Sequence, residues 1–188
     1  MTKELLEHLK SMRHSPAHNY VIPGLTSWLI GNPHPEMGCV RMFSMSRLHE
    51  ENIVPHSHRF DFRCVVLKGR VVNHIWQPAP TFEEDGTDEA DWYVKKEITY
   101  SGTLGTHDTR QAGVGTYIRR ISYYNEGDEY SMKAEEFHSI RFDKGTEVLF
   151  FEGVNRLKTS FILEPMVNGE AIPLFKTEPW MFDKREFN

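Results

Sequence analysis

Short apolar segments, broken by turns that contain glycine or proline, follow one another along most of the chain. Within these segments β-branched and aromatic residues are common, which is typical of β-strands. Many short strands at regular spacing favour an all-β barrel or sandwich. The predicted strands are 40–48, 62–76 with a turn at Lys68-Gly69, 93–100, 116–124, 130–132, 138–142, 147–152 and 161–163.

The two ends of the chain carry different patterns. Residues 3–12 place four apolar side chains near the 3.6-residue repeat of an amphipathic helix, which we expect to pack against the outside of the main body. Four prolines between residues 16 and 35 then predict extended pieces and turns. The chain closes on an extended aromatic tail, with Phe175, Trp180 and Phe182, which packs on the barrel or serves a homodimer contact.

The length and charge of the chain exclude some classes of function. The 188 residues suit one domain, 1–188, with a barrel core at about 40–160. A net charge of -5 argues against a nucleic-acid binder, and no apolar run has the length of a membrane span. The beginning of the chain lacks the apolar segment of a signal peptide, and the two cysteines form no CxxC pair. We therefore expect a cytoplasmic protein that acts on a small molecule.

One pair of histidines carries the strongest chemical signal. His56 and His58 are separated by a single residue and precede an apolar segment that begins at Phe60. Alternate side chains of an extended chain point to one face, about 7 Å apart along it. Two imidazoles on one face can ligate a single metal ion if a third ligand comes from elsewhere in the fold.

The spacing around these histidines resembles the two motifs of the cupin superfamily, small jelly-roll β-barrels with a metal inside. The first motif is G-x5-H-x-H-x3,4-E-x6-G, and here His56-Ser57-His58 is followed at the family spacing by Phe62 and Gly69. The second is G-x5-P-x-G-x2-H-x3-N, and here Gly127 and His138 stand at the family spacing. The resemblance covers roughly residues 40–160 and implies a metal site of His56, His58 and His138.

Departures from the motifs refine that implication. Phe62 stands where the family glutamate would be, and Lys133, Glu135 and Phe142 replace the proline, glycine and asparagine of the second motif. A set of three histidines without a carboxylate resembles the thiol dioxygenases of the cysteine dioxygenase type, in which three histidines hold ferrous iron. Without a ligating carboxylate, a divalent ion keeps its full charge and attracts a thiolate or carboxylate of the substrate.

Further residues are candidates for the surroundings of the metal. The predicted strand pattern favours a substrate pocket lined by Phe60, Phe62 and His74. One phenol can join them from Tyr130, Tyr123 or Tyr124, and Cys64 is a buried thiol, a ligand or a crosslink partner. A carboxylate can still join the metal from Asp61, through a β-bulge, or from Glu136. The remaining histidines are expected at the surface: His8, His14, His18, His34, His49 and His107.

The sequence therefore predicts a cupin that binds one divalent transition metal, with Fe(II) first and Zn, Ni or Mn as alternatives. The leading hypothesis is a non-haem Fe(II) dioxygenase of a small anionic thiol or carboxylate. Two alternatives stay open at this point. One is a module that binds a metal or small ligand without turnover, and the other is a non-redox isomerase, epimerase or lyase in which the metal is a Lewis acid.

Overall fold

The computed structural model describes residues 3–49, 53–79, 90–100 and 107–171. In these residues the chain forms one helix and a series of antiparallel strands. Their bounds are α1 Lys3–Ser11, β1 Ala17–His18, β2 Leu25–His34, β3 Gly38–Met45, β4 Phe62–Lys68, β5 Arg70–Pro78, β6 Asp91–Tyr100, β7 His107–Asn125, β8 Glu129–Met132, β9 Phe137–Phe142, β10 Glu147–Glu152, β11 Thr159–Val167 and β12 Glu170–Ala171.

The strands form two sheets. The first has the order β1-β2-β3-β10-β4-β8, and the second has the order β12-β11-β6-β7-β5-β9. From β8 to β11, successive strands alternate between the two sheets, as in a jelly roll. The predicted all-β, cupin-type architecture with a short N-terminal helix is confirmed. Among the described residues, no helix has the length and apolar character that a bilayer crossing requires.

Apolar side chains from the facing sides of both sheets make the main core. Val66 and Val148 of the first sheet meet Val71 and Phe142 of the second, and all four are buried. Complete burial of a side chain of this size contributes about 1.5–3 kcal/mol to folding. The turn from β4 to β5 carries the chain from one sheet to the other at Gly69, where φ is +76° and a Cβ would lie 2.7 Å from the Thr146 hydroxyl. The predicted turn at Gly69 thus places Val66 and Val71 in different sheets, where both contribute to the core between them.

The second strand, β2, differs most from prediction. The chain over 25–34 was expected to form broken extended pieces, but it is the ten-residue β2. A register shift between Ile30 and His34, with Gly31 at φ +64°, lets this strand keep its pairing to β3 despite Pro33. Helix α1 packs Leu9 on the outer face of this sheet, as expected of an amphipathic helix. The predicted aromatic tail lies outside the described residues.

Residue 56 joins two strands of the second sheet that are otherwise not neighbours. Its backbone exchanges hydrogen bonds with His138 of β9, at 2.9 and 3.0 Å, and also forms a bridge to Ile162 of β11. Since β9 stands at one edge of this sheet and β11 near the other, the segment around His56 connects the two ends. The first candidate ligand is therefore part of the barrel wall.

Candidate metal centre

The segment 53–60 holds its two histidines in place through the backbone on either side. The amide of Ser57 donates to the Phe161 carbonyl, and the Ser57 hydroxyl accepts from the Phe161 amide, at 2.8 and 2.9 Å. The amide of His58 donates to the Ala134 carbonyl at 2.9 Å. Ser57 is thus tied to β11, while the side chains of His56 and His58 line the interior. The alternation expected from the sequence is present, although the segment is an isolated bridge and a loop rather than a strand.

The three imidazoles converge inside the barrel. The ring centres of His56 lie 4.9 Å from those of both His58 and His138, and the latter two are 5.1 Å apart. One nitrogen from each ring can be chosen so that all three lie within 4.8 Å of one another. Residues 80 positions apart in sequence thus form a group that can hold a metal ion.

Hydrogen bonds fix which ring nitrogens face the centre. Nδ1 of His56 lies 2.9 Å from the Val54 carbonyl, which can only accept, so this nitrogen carries the proton. Nδ1 of His138 lies 2.9 Å from Oδ1 of Asn73, whose amide nitrogen donates to Met132 Sδ. In both rings Nε2 is left with its lone pair, as ligation requires. Carbonyl partners of this kind orient a metal-binding imidazole.

The electrostatics of the site favour neutral rings. Burial lowers the pKa of His56, against a smaller opposite effect of the Val54 carbonyl. Burial, followed by the neighbouring His56 and His58, holds the pKa of His138 well below its usual range. A neutral imidazole is the form that binds a metal. The imidazoles of His56 and His138 are therefore neutral at neutral pH and can bind a metal without the loss of a proton.

The spacing of the donors also fits an ion. The Nε2 atoms of His58 and His138 are 2.9 Å apart. Two ligands about 2.1 Å from a metal and at a right angle to each other lie about 3.0 Å apart. One proton between the two nitrogens makes this contact a hydrogen bond, and a metal ion bound by both would take its place. Three protein ligands would leave further coordination positions open to a substrate.

The histidines line one end of a cavity of about 170 Å³ with largely apolar walls. Phe60 lines it directly. Phe62 packs its ring on His58 and His138, with centres 5.0 and 5.3 Å apart. An apolar wall of this kind keeps bulk water from the imidazoles and fixes their orientation. Phe60 thus lines the cavity, whereas Phe62 packs against the candidate ligands without lining it.

Tyr130 and Cys64 are buried neighbours in the same cavity wall. They are register partners on β8 and β4. Burial raises the pKa of the Cys64 thiol to about 12, with a smaller opposite effect of its hydrogen bond with Tyr130. Burial also raises the pKa of the Tyr130 phenol well above its usual value. Both groups are therefore neutral and form part of the uncharged wall.

His74 is not where the sequence pattern predicted it. Its neighbour Asn73 points inward, is fully buried and contacts His138, so His74 faces the opposite side of β5. There its ring lies 6.0 Å from that of Trp76. The prediction was wrong because it took Trp76 to be an inward residue, whereas Trp76 packs with Tyr93 and other aromatic residues outside this cavity. The available signal for Asn73 was a polar residue in phase with Val71 and Ile75 of the same strand.

The two carboxylates considered as additional ligands are engaged elsewhere. Asp61 accepts a hydrogen bond from the Ala134 amide at 2.9 Å and pairs with Lys133 and Arg156 at 3.2 and 2.6 Å. Glu136 accepts from the Lys133 amide at 2.6 Å and closes the turn before β9. Neither belongs to the group of three histidines. Asp61 instead ties the segment of the first two histidines to the turn that precedes the third.

Three charged residues of the cavity were missed by the sequence reasoning: Arg41, Arg59 and Glu152. Arg41 of β3 and Glu152 of β10 line it, and their side chains are at most 10% exposed. Nε of Arg41 lies 3.7 Å from Oε2 of Glu152, which also accepts from Cys39 Sγ at 3.4 Å. The available signal was the one charged residue within apolar β3, Arg41, and the glutamate that ends apolar β10, Glu152. The pocket therefore offers a charged pair in addition to its imidazoles.

The remaining histidines divide in two. His8, His14, His18 and His34 are exposed, as expected. His49 is buried and stacks on Phe142, so its placement at the surface was wrong. Burial, followed by the charges of Arg141 and Arg47, lowers the pKa of His49 to about 4. It accepts the Phe142 amide through Nδ1, which makes it a capping residue at the end of β9. The side chain of His107 lies outside the described residues.

No family model matches the chain, and no curated protein matches it either. Among solved structures it is similar to an RmlC-like cupin from Shewanella frigidimarina NCIMB 400, at 14% identity over 70% of this chain and 78% of that one, with a TM-score of 0.39. It is similar to KdgF from Halomonas sp., at 13% identity over 74% and 88% of the two chains, with a TM-score of 0.38. A third is the Drosophila melanogaster CENP-C cupin domain, at 9% identity over 81% and 100%, with a TM-score of 0.42. Two of these three structures are named as cupins.

Proposed function

We propose that this protein is a metal-dependent enzyme that uses O₂ to oxidise a small anionic substrate, with Fe(II) as its resident metal. The observation that carries the proposal is the convergence of three imidazoles in the wall of a largely apolar cavity. His56, His58 and His138 hold the ion. Phe60 and Phe62 exclude water around it.

The charge of the site supports an anionic substrate. An imidazole ligand brings no negative charge to a bound ion, and the nearby carboxylates Asp61 and Glu136 are bound to other partners, so they do not offset the charge of the ion. When bound, Fe(II) supplies open coordination positions for a thiolate or carboxylate and for O₂. The chain itself contributes the fixed orientation of the imidazoles, through Val54 and Asn73, and a small volume that limits the substrate to a few atoms beyond its anionic group.

Two linked measurements test the proposal. Elemental analysis of protein purified without added metal should find about one iron per chain, and almost none in a His58→Ala variant. His74→Ala is the matched control, because this histidine lies in the same barrel but faces away from the cavity, and it should keep the metal. Fe(II)-loaded native protein should then consume O₂ with at least one member of a panel of small thiols and carboxylic acids. A native protein that binds no iron, zinc, nickel or manganese would refute the metal site.

Other results would redirect the function while leaving the metal site in place. Turnover that persists with Zn(II) or Ni(II) and needs no O₂ would indicate an isomerase, epimerase or lyase with a Lewis-acid metal. Saturable binding of a small ligand that is always recovered unchanged would indicate a binding module. We also propose a reducing, cytoplasmic location, in keeping with Cys39 and Cys64, which are buried and not joined by a disulfide.

A further inference from the structure

Besides the histidines, the cavity wall contains the buried guanidinium of Arg41, which has few partners. Arg41 is 8% exposed. Its contacts among the described residues are a long hydrogen bond from Nη1 to the Ser27 hydroxyl, at 3.4 Å, the Glu152 carboxylate at 3.7 Å, and the Tyr20 ring at 5.3 Å. Nε has no hydrogen-bond partner in that part of the chain. A guanidinium has five N–H donors, and leaving charged donors unsatisfied in a buried site is costly.

The position of this pair relates it to the histidines. Glu152 is the register partner of Phe62 on the neighbouring strand, and Phe62 packs on His58 and His138. Arg41 is the register partner of Phe150, which lies two residues before Glu152 on β10. Arg41, Phe150, Glu152, His58 and His138 all line the same cavity, whereas Phe62 does not. The charged pair and the imidazoles therefore face the same enclosed volume.

We infer that Arg41 and Glu152 form the recognition subsite of this cavity, which takes a small organic acid with a hydrogen-bond donor beside its anionic group, such as a 2-hydroxy or 2-amino acid. This inference deepens the proposed function by naming its substrate class. The anionic group of the ligand binds the unsatisfied donors of Arg41, because a planar guanidinium matches a carboxylate. The hydroxyl or ammonium group donates to the Glu152 carboxylate. A simple acid gains the first contact but brings a second negative charge towards Glu152.

Three probes separate these contacts: lactate, which has both groups, propionate, which lacks the hydroxyl, and lactamide, which lacks the charge. Calorimetric titration of the native protein should rank lactate above propionate by about tenfold in Kd, and lactamide should give no saturable binding. Glu152→Gln should improve the binding of propionate by about tenfold, because it removes a competing negative charge, and should reduce the advantage of lactate.

The loss of the guanidinium needs a variant that folds. Arg41→Gln alone removes a positive charge beside the buried Glu152 carboxylate, so Arg41→Gln with Glu152→Gln is the variant of choice. It should weaken the binding of both acids at least tenfold. Glu164→Gln is the matched control, because Glu164 is also a buried glutamate paired with a cation, Lys96 at 2.7 Å, but does not line the cavity. This control should bind all three probes as the native protein does.

Repeating the titrations in His58→Ala separates the inference from the proposed function. The subsite predicts the same ranking of probes without the metal site, so a native protein that holds no metal would refute the proposed function and leave the subsite testable. Lactate binding that disappears in His58→Ala but survives in the double variant would assign the anion to the histidines and overturn the inference. Loss of binding in Arg59→Gln with retention in the double variant would move the subsite to Arg59, which also lines the cavity, and overturn it too. Absence of saturable lactate binding to the native protein overturns the substrate class.

Discussion

Replacement of Asn73 by leucine tests how the third histidine is oriented. Asn73 is fully buried, and its Oδ1 accepts the proton of His138 Nδ1 at 2.9 Å. Leucine has nearly the same size but offers no acceptor. Loss of such a partner lowers the affinity for a metal by about 10–100-fold, which corresponds to about 1.4–2.7 kcal/mol. The buried N–H of His138 left without an acceptor costs about 1–3 kcal/mol of folding free energy in addition.

The assay is a competition titration of Zn(II) and Fe(II) against a chromophoric chelator, with urea unfolding of the metal-free protein in parallel. Asn73→Leu should lose both affinity and stability, whereas Asn73→Asp keeps an acceptor and should keep the affinity. His74→Leu is the control on the opposite face of the same strand, and it should bind metal as the native protein does. An Asn73→Leu protein that is destabilised but binds metal with unchanged affinity would refute the reasoning, because the hydrogen bond would then serve packing alone.

The remaining predictions concern pH, an ion-paired carboxylate and the apolar wall. Burial lowers the pKa of His49 to about 4, so the folded chain keeps this ring neutral where the unfolded chain, with a pKa of 6.5, binds a proton. The stability that depends on this neutral ring is fully present above about pH 6.5 and is lost as the pH falls towards 4. His49→Gln should therefore reduce the drop in unfolding free energy between pH 7 and pH 5 by about 2 kcal/mol. An unchanged drop would contradict the assignment. Asp61→Ala should lower the unfolding free energy by about 1–2 kcal/mol, through the loss of the hydrogen bond from Ala134, yet leave the metal content unchanged; loss of the metal would show that this carboxylate is a ligand after all. Phe62→Glu should destabilise the metal-free protein and raise its metal affinity, since the new carboxylate would lie against His58, and calorimetry with and without Zn(II) would show whether the two effects have opposite signs.

The parts of this fold that sequence predicts well are those with a local cause. Glu147–Glu152 is a strand with the predicted bounds because an apolar run between Lys144-Gly145 and a charged residue leaves few alternatives. Gly69 fixes the turn between two strands of different sheets. The β2 strand was missed because its pairing with β3 tolerates a glycine and a proline only through an irregular register, which depends on a partner strand.

In the candidate site, too, the sequence predicts some residues from local spacing but not those that depend on the packing of the strands. His56, His58 and His138 follow from spacing, since two lie on one side of an extended segment and the third stands at the spacing of a motif. Asn73 and Arg41 could not be placed, because each depends on which side of its strand faces the interior. A single misjudged phase at Trp76 was sufficient to exchange Asn73 for His74. Such a phase is set by the packing of both sheets together.

The backbone bridges of His56 to His138 and Ile162 couple metal binding to the opening of the sheet. The peptide that carries this imidazole is also the one that joins β9 to β11, so opening the wall there pulls one donor away from the other two. An ion held by all three rings would link the backbone segments on both sides of that bridge. The strands could then separate there only after the ion is released. Slow exchange of the His56 and His138 amide protons would then report occupancy of the centre from the main chain alone.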